Sequence, residues 1–282
     1  HEIDWVVTRT GFYSNGSLHS LSSSLEFITF PELNFYQKLR LGSTIFFASK
    51  MRDWRKLENQ HVETWLRRWS GDSTFEKIWL PLLQCKLGDA YKRTNAAFIW
   101  AYIQRMYAAR RSGMKREMFG IVRGGYNRIL AKLSQRLLEL GVEIQCDARV
   151  GKIEHNGERF TITTQSSSSK SPLETERVIV TVPSANIPDM VPGLTEPEKQ
   201  KLRATEYLGV VCTSLLLKSP LAGFYVTNIT DPGIPITGVI EMGSILSPDK
   251  LGGKYLVYLP QYMLASDERL NATDEEIHNL CI

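Results

Sequence analysis

The sequence predicts an α+β fold: a mixed or antiparallel sheet with a helical subdomain inserted into it. Three observations lead there. Residues 34–112 carry apolar side chains at helical spacing. Short strand-like runs lie on both sides of that block. Residues 119–183 read as Gly-Gly, amphipathic helix, strand, hairpin and a further strand. A helical block among strands argues against a doubly wound parallel sheet.

Trp5-Val6-Val7-Thr8 reads as a strand, and Tyr13-Ser14-Asn15-Gly16-Ser17-Leu18 as a hairpin turning at Asn-Gly. Pro31 precedes a helix over 35–50. His61, Thr64, Trp65 and Trp69 mark a second helix, closed by Gly71. Ser73-Thr74-Phe75-Glu76 has the form of a capping box. The helix it opens carries Phe75, Ile78 and Trp79 and is expected to stop near Pro81. Residues 96–109 form a longer apolar helix. Gly124 and Gly125 precede Ile129, Leu130, Leu133, Leu137 and Leu138, one apolar face of a helix over 126–140. Gly141 suits a left-handed cap at its end. Alternation predicts a strand over 142–146, then strands over 149–155 and 160–164 joined at Asn156-Gly157. Ser166 to Ser169 is a low-complexity loop, and 177–182 is a buried strand. Thr195-Glu196-Pro197-Glu198 is another capping box, with Pro197 in the first turn. Strands follow over 209–217, 236–242 and 255–259. Thr273-Asp274-Glu275-Glu276 opens a last helix, which the chain end is expected to cut off.

Composition excludes several classes of function. At 43% hydrophobic and 23% charged, 282 residues make an ordinary globular chain of one large or two smaller domains. No run approaches the roughly 18 to 20 apolar residues of a membrane span, and the start has neither region of a signal peptide. It has no Met either, which reads as a piece of a longer protein. A net charge of +4 is too mild to indicate nucleic acid as a partner. Cys85, Cys146, Cys212 and Cys281 are far apart without ligand spacing, so no metal site is expected; free, mostly buried thiols fit a reducing cytoplasm. The histidines have no partner at ligand spacing and no Gly-x-Ser-x-Gly elbow occurs, so no catalytic residue stands out.

Several motifs in order carry a resemblance. His19-Ser20-Leu21-Ser22-Ser23, with Phe30-Pro31-Glu32-Leu33 and Lys38-Leu39-Arg40-Leu41-Gly42, is similar to a segment that enters a substrate domain. Phe75 to Leu83 with Lys86-Leu87-Gly88, the pair Gly124-Gly125, Ala148 to Ile153, and Val178 to Pro183 follow in the same order. Together they resemble the middle of the FAD-dependent amine oxidase, carotenoid (phytoene) desaturase and protoporphyrinogen oxidase superfamily. The resemblance implies strands entering the substrate domain over 1–33 and a helical subdomain over 34–118. It implies a return to the flavin side over 119–184, and a substrate-domain sheet with helices over 185–282.

The same resemblance implies FAD in the full-length protein, with Gly124, Gly125 and the backbone of Val150 facing it. The dinucleotide fingerprint Gly-x-Gly-x-x-Gly is missing, since no two glycines are separated by one residue. This fragment alone is therefore expected to bind FAD weakly or not at all and to be inactive. Trp100, Ile103 and Tyr107 are candidates to line a substrate cavity, against the plainer reading of helix packing. Arg105, Arg110, Arg111, Lys115 and Arg116 form a basic patch that either touches anionic lipid or ends a solvated helix. The implied chemistry is hydride transfer from a C–H or C–N bond of a small apolar or amine substrate to the flavin. A non-catalytic binding module and a flavin-dependent mutase are the rival readings.

Overall fold

The computed structural model describes residues 2–108, 118–165, 171–231 and 233–281. Arg110, Arg111, Lys115, Arg116 and the loop Ser166 to Ser169 lie outside the described residues. The chain divides into two compact units, residues 1–123 with 208–282, and residues 124–207.

The first unit is built on a mixed sheet. Strands β2 (Thr10–Ser14), β3 (Ser17–Ser20), β8 (Leu208–Leu217), β9 (Val226–Ile229), β10 (Gly238–Glu241) and β11 (Tyr255–Leu264) stand in the order β3-β2-β9-β10-β11-β8. Only β2 and β9 run parallel, with Phe12 opposite Asn228. β1 (Ile3–Val7) pairs separately with β4 (Met118–Val122). The Asn-Gly hairpin forms as expected: Ser14 faces Ser17, with Asn15 and Gly16 at φ 50° and 72°. The strands expected over 236–242 and 255–259 become Gly238–Glu241 and Tyr255–Leu264, and β9 was not anticipated. Glu241 closes β10. Its buried carboxylate accepts from the amides of Leu221 (3.0 Å), Ala222 (3.2 Å) and Gly223 (2.9 Å), so the loop into β9 is tied to the sheet.

Seven helices, α1 (Ser24–Thr29), α2 (Phe35–Lys50), α3 (Arg55–Glu58), α4 (Val62–Ser70), α5 (Asp72–Thr74), α6 (Leu80–Leu87) and α7 (Ala96–Ala108), form the inserted block. The core lies within it: Leu41, Leu57, Val62, Leu66, Phe75 and Leu83 are almost fully enclosed, and Phe12 joins them from the sheet. Helix α1 is an addition to the sequence reading. Its capping box of Ser23 and Glu26 follows the S-x-x-E pattern that marks a helix start. The box expected at Ser73 and Glu76 does not form. The helix begins two residues earlier, at Asp72 after Gly71 at φ 88°. Ser73 Oγ instead accepts from Gln37 Nε2 (2.8 Å), and Glu76 turns to Arg67. Arg67 also meets Glu63 (2.8 Å) and Asp72 (3.2 Å) and lies 4.2 Å over the Phe75 ring. Glu76, then Glu63, holds its guanidinium even more firmly protonated than usual.

Nor does the helix stop at Pro81. Between α5 and α6 the chain widens into a π turn, Phe75–Trp79, and the amide of Leu80 bonds back to the carbonyl of Phe75. Pro81 has no N–H to give, and its ring would strike the carbonyl four residues back in a regular α-helix. Widening the turn ahead of it lets the helix run through. The run ends at Gly88, whose φ is 52°; a Cβ there would sit 2.6 Å from the carbonyl oxygen of Tyr262. Glycine is thus what lets the helical layer close onto β11.

In the second unit, α8 (Gly125–Glu139) leads to β5 (Arg149–His155), β6 (Phe160–Gln165) and β7 (Leu173–Thr175), an antiparallel sheet in that order, followed by α9 (Ile187–Met190) and α10 (Glu196–Arg203). Two sequence expectations are corrected here. Residues 142–146 and 177–182 belong to no strand, and Ile179 is 90% exposed rather than buried. Alternation describes side-chain facing, whereas a strand also needs a neighbour to bond, and no described strand pairs with either. The Schellman cap at Gly141 does form, with Gly141 N–H to Leu138 O at 3.0 Å and Val142 N–H to Leu137 O at 3.0 Å. At α10 the Glu198 carboxylate accepts from both N–H (2.8 Å) and Oγ1 (2.7 Å) of Thr195. The apolar face of α8 is real, yet none of its residues is buried. Of the four free thiols only Cys85 is buried; Cys146 and Cys212 are exposed and Cys281 is intermediate. The expectation of mostly buried thiols is therefore corrected.

Among the described residues, Thr74 Oγ1 is the one buried side-chain polar atom without a hydrogen-bond partner. Thr74→Val removes that unpaired hydroxyl while keeping the side-chain shape. It is expected to leave stability unchanged or raise it by up to about 1 kcal/mol in urea unfolding; a loss of more than that contradicts this assignment.

Candidate functional site

The first unit encloses an apolar cavity of about 330 Å³ between the sheet and the helices. Its floor is Thr10 and Phe12 of β2 beside Asn228 of β9, three side chains that the parallel register sets on one face. Leu21 and Phe27 close one side. Leu41, Gly42 and Ile45 of α2, then Ile78, Trp79 and Leu82, then Tyr102, Ile103, Met106 and Tyr107 of α7 form the roof and walls. No charged side chain lines it among the described residues.

Polar groups at the cavity fall into two kinds. Trp79 Nε1 donates to Ser70 Oγ (3.0 Å), Ser70 Oγ donates to Thr44 Oγ1 (3.1 Å), and Thr44 Oγ1 donates to Arg40 O (2.8 Å). All three side chains are buried, and the chain of bonds fixes the indole that forms part of the wall. Asn228 is different. It is 6% exposed, reaches the cavity, and its amide has no hydrogen-bond partner among the described residues. Its polar atoms are not fully enclosed; they face the open space of the cavity, where this group can bond something placed beside it.

The structure sorts the residues that the sequence singled out. Ile103 and Tyr107 line the cavity, while Trp100 does not. The Trp100 indole donates to Met51 O (3.1 Å), and Gln104 Nε2 donates to Ala48 O (2.7 Å) and Met51 O (3.0 Å). Both thus satisfy carbonyls left open at the end of α2. Arg105 is exposed and stacks 5.2 Å over Tyr102. In the second unit, Gly124 caps α8 at φ 84°, Gly125 follows at φ 68°, and a Cβ on Gly125 would meet nothing within 4 Å. Val150 lies on β5, an edge strand, just before an irregularity at Gly151. Sequence reasoning missed Asn228, Phe12 and Trp79 as cavity residues. Asn228 sits in a strand only four residues long whose place is set by pairing with β2, remote in sequence. Among the described residues no cluster of His, Cys, Asp or Glu is arranged to hold a metal ion. No helix there is long and apolar enough to cross a membrane.

Comparison with known proteins supplies the class. The family model for flavin containing amine oxidoreductase matches residues 4–282. The chain belongs to that family. No curated protein matches the sequence. Among solved structures, an oxidoreductase from Methanosarcina mazei superposes with TM-score 0.73 at 17% identity, covering 98% of this chain and 65% of that one. A candidate protoporphyrinogen oxidase from Exiguobacterium sp. 255-15 gives TM-score 0.66 at 14% identity over 99% of this chain and 64% of that one. A triple mutant of putrescine oxidase gives TM-score 0.67 at 14% identity over 98% and 62%. At these identities the likeness is one of fold. The chain spans under two thirds of the length of each structure.

Ser70→Ala interrupts the bonds behind Trp79 and leaves a buried indole N–H unpaired. It is expected to cost about 1 to 3 kcal/mol in chemical unfolding; an unchanged midpoint and slope would show that the chain of bonds does not hold the wall.

Proposed function

We propose that this chain supplies the substrate-binding part of an FAD-dependent oxidoreductase acting on a small, apolar, uncharged substrate. The observation that carries the proposal is the cavity itself: mostly apolar and without a charged side chain among the described residues, with Thr10, Ser23, the Tyr102 and Tyr107 hydroxyls and the Asn228 amide as its polar groups. Few, well-placed polar groups in an apolar chamber are the usual form of a small-molecule site. A cationic amine buried there would lose its hydration and meet no carboxylate among the described residues, at a cost of several kcal/mol.

When bound, the flavin supplies the hydride acceptor for a C–H or C–N bond. The residues present fit the rim of a flavin site and not its phosphate cradle. Gly125 offers open backbone, Gly124 lies against the Arg128 side chain, and Val150 lies on an edge strand. The fingerprint that cradles a pyrophosphate is not in the sequence. The work of this chain is to exclude water from the substrate and, through Asn228, to orient it. No carboxylate, histidine, lysine or cysteine lines the cavity among the described residues, and no proton relay is assigned to it.

The test uses full-length protein under anaerobic conditions and follows the visible absorbance of its flavin. Neutral apolar compounds with an oxidisable C–H or C–N bond are expected to bleach it, and diamines are not. Asn228→Leu is expected to raise KM about tenfold, the equivalent of one hydrogen bond of roughly 1.4 kcal/mol. Bleaching by diamines alone contradicts the substrate class. Purified full-length protein without flavin absorbance favours the binding-module reading.

A further inference from the structure

A second apolar feature lies on the outside of the helical block. Phe27 and Ile28 of α1 and Phe35, Leu39, Phe46 and Phe47 of α2 line an open groove of about 620 Å³. Phe35 is 82% exposed, and Ile28, Leu39, Phe46 and Phe47 are exposed as well. Single exposed apolar residues need no explanation, whereas a contiguous run of them marks an interaction surface.

The charge around the groove narrows what covers it. Helix α2 carries Lys38, Arg40 and Lys50 and no acidic residue. Lys38 Nζ reaches the carbonyl of Ile28 (2.6 Å), at the groove wall, and Lys50 Nζ lies 5.6 Å over the Phe46 ring. Cations beside exposed aromatic rings on one helix are the pattern of a surface that seats in the headgroup layer of a membrane. A second copy of the chain fits less well. Arg40 turns away to the carbonyls of Arg68 and Trp69. A twofold contact would bring this face against itself and set Lys38 and Lys50 against two more cations with no acid on the helix to offset them.

We infer that the α1–α2 face is a docking surface for an anionic lipid bilayer. Its place in the fold gives the contact a use. Phe27 and Gly42 line both this groove and the interior cavity, and a Cβ on Gly42 would come within 4.0 Å of the Phe27 ring. The two spaces thus share part of their lining, so an apolar molecule leaving the bilayer at this face arrives next to residues that also line the cavity. That use rests on the reading of the cavity proposed above; the docking does not.

The test is co-sedimentation of full-length protein with phosphatidylcholine vesicles, with and without phosphatidylserine. Binding is expected to the anionic vesicles and to be weaker without phosphatidylserine. The triple variant Phe35→Ser, Leu39→Ser, Phe46→Ser replaces side chains that are already exposed and is expected to weaken binding at least about tenfold. Lys38→Glu with Lys50→Glu, which leaves the apolar groove intact, is expected to abolish the preference for phosphatidylserine. The inference is overturned if neither vesicle binds the wild-type protein, or if the triple variant binds as well as wild type. It is also overturned if sedimentation velocity shows a dimer that the triple variant dissociates. None of these readouts depends on flavin or turnover, so a failed substrate screen and a failed docking test are separate results.

Discussion

The wide turn ahead of Pro81 is the constraint on which the cavity depends. Proline takes away one helical hydrogen bond and crowds the carbonyl behind it. The chain answers with five residues of π-helix, Phe75–Trp79, and continues as α6 instead of stopping. That change of pitch sets where Ile78, Trp79 and Leu82 point, and all three line the cavity. The surroundings hold the turn from two sides. Outside, Arg67 bridges Glu63, Asp72 and Glu76 and covers Phe75. Inside, Ser70 and Thr44 anchor the indole of Trp79. A regular helix with the same side chains would place them differently around its axis, since residues per turn decide which face each occupies.

The sheet does a different task from the helices. It is held by long-range pairing, and it presents one face with Phe12 and Asn228 side by side. Gly88 and the buried carboxylate of Glu241 fix β11 and β10 against the helical layer and the loop into β9. The result is a sheet floor under a helical roof. Such a division suits the role proposed above, in which the lining selects the substrate and a cofactor supplies the reactive group.

Much of this was legible in the sequence, and what was not has physical causes. Asn15-Gly16 specified its hairpin because both positions need positive φ, and Gly141 specified its cap for the same reason. The paired Gly124-Gly125 and the apolar stripe of α8 were equally local signals. Pro81 misled because a proline is a stop signal only when the turn before it stays regular. Residues 142–146 and 177–182 misled because side-chain alternation says nothing about whether a bonding neighbour is present. Of the cavity, Ile103 and Tyr107 were visible from helix periodicity, but Trp100 shares that periodicity and serves the end of α2 instead. Asn228 was invisible. Only the parallel pairing of β9 with β2, across more than two hundred residues of chain, brings this asparagine to the cavity as one of its polar groups.

The central claim is that the space between Phe12, Asn228 and Trp79 holds the substrate. A crystal structure of the full-length protein soaked with a neutral, apolar turnover substrate or competitive inhibitor tests it most directly. The account predicts ligand density in this cavity, with a polar atom of the ligand within hydrogen-bond distance of the Asn228 amide and the π turn intact. Ligand bound elsewhere, with Trp79 or Met106 filling this space, would contradict it.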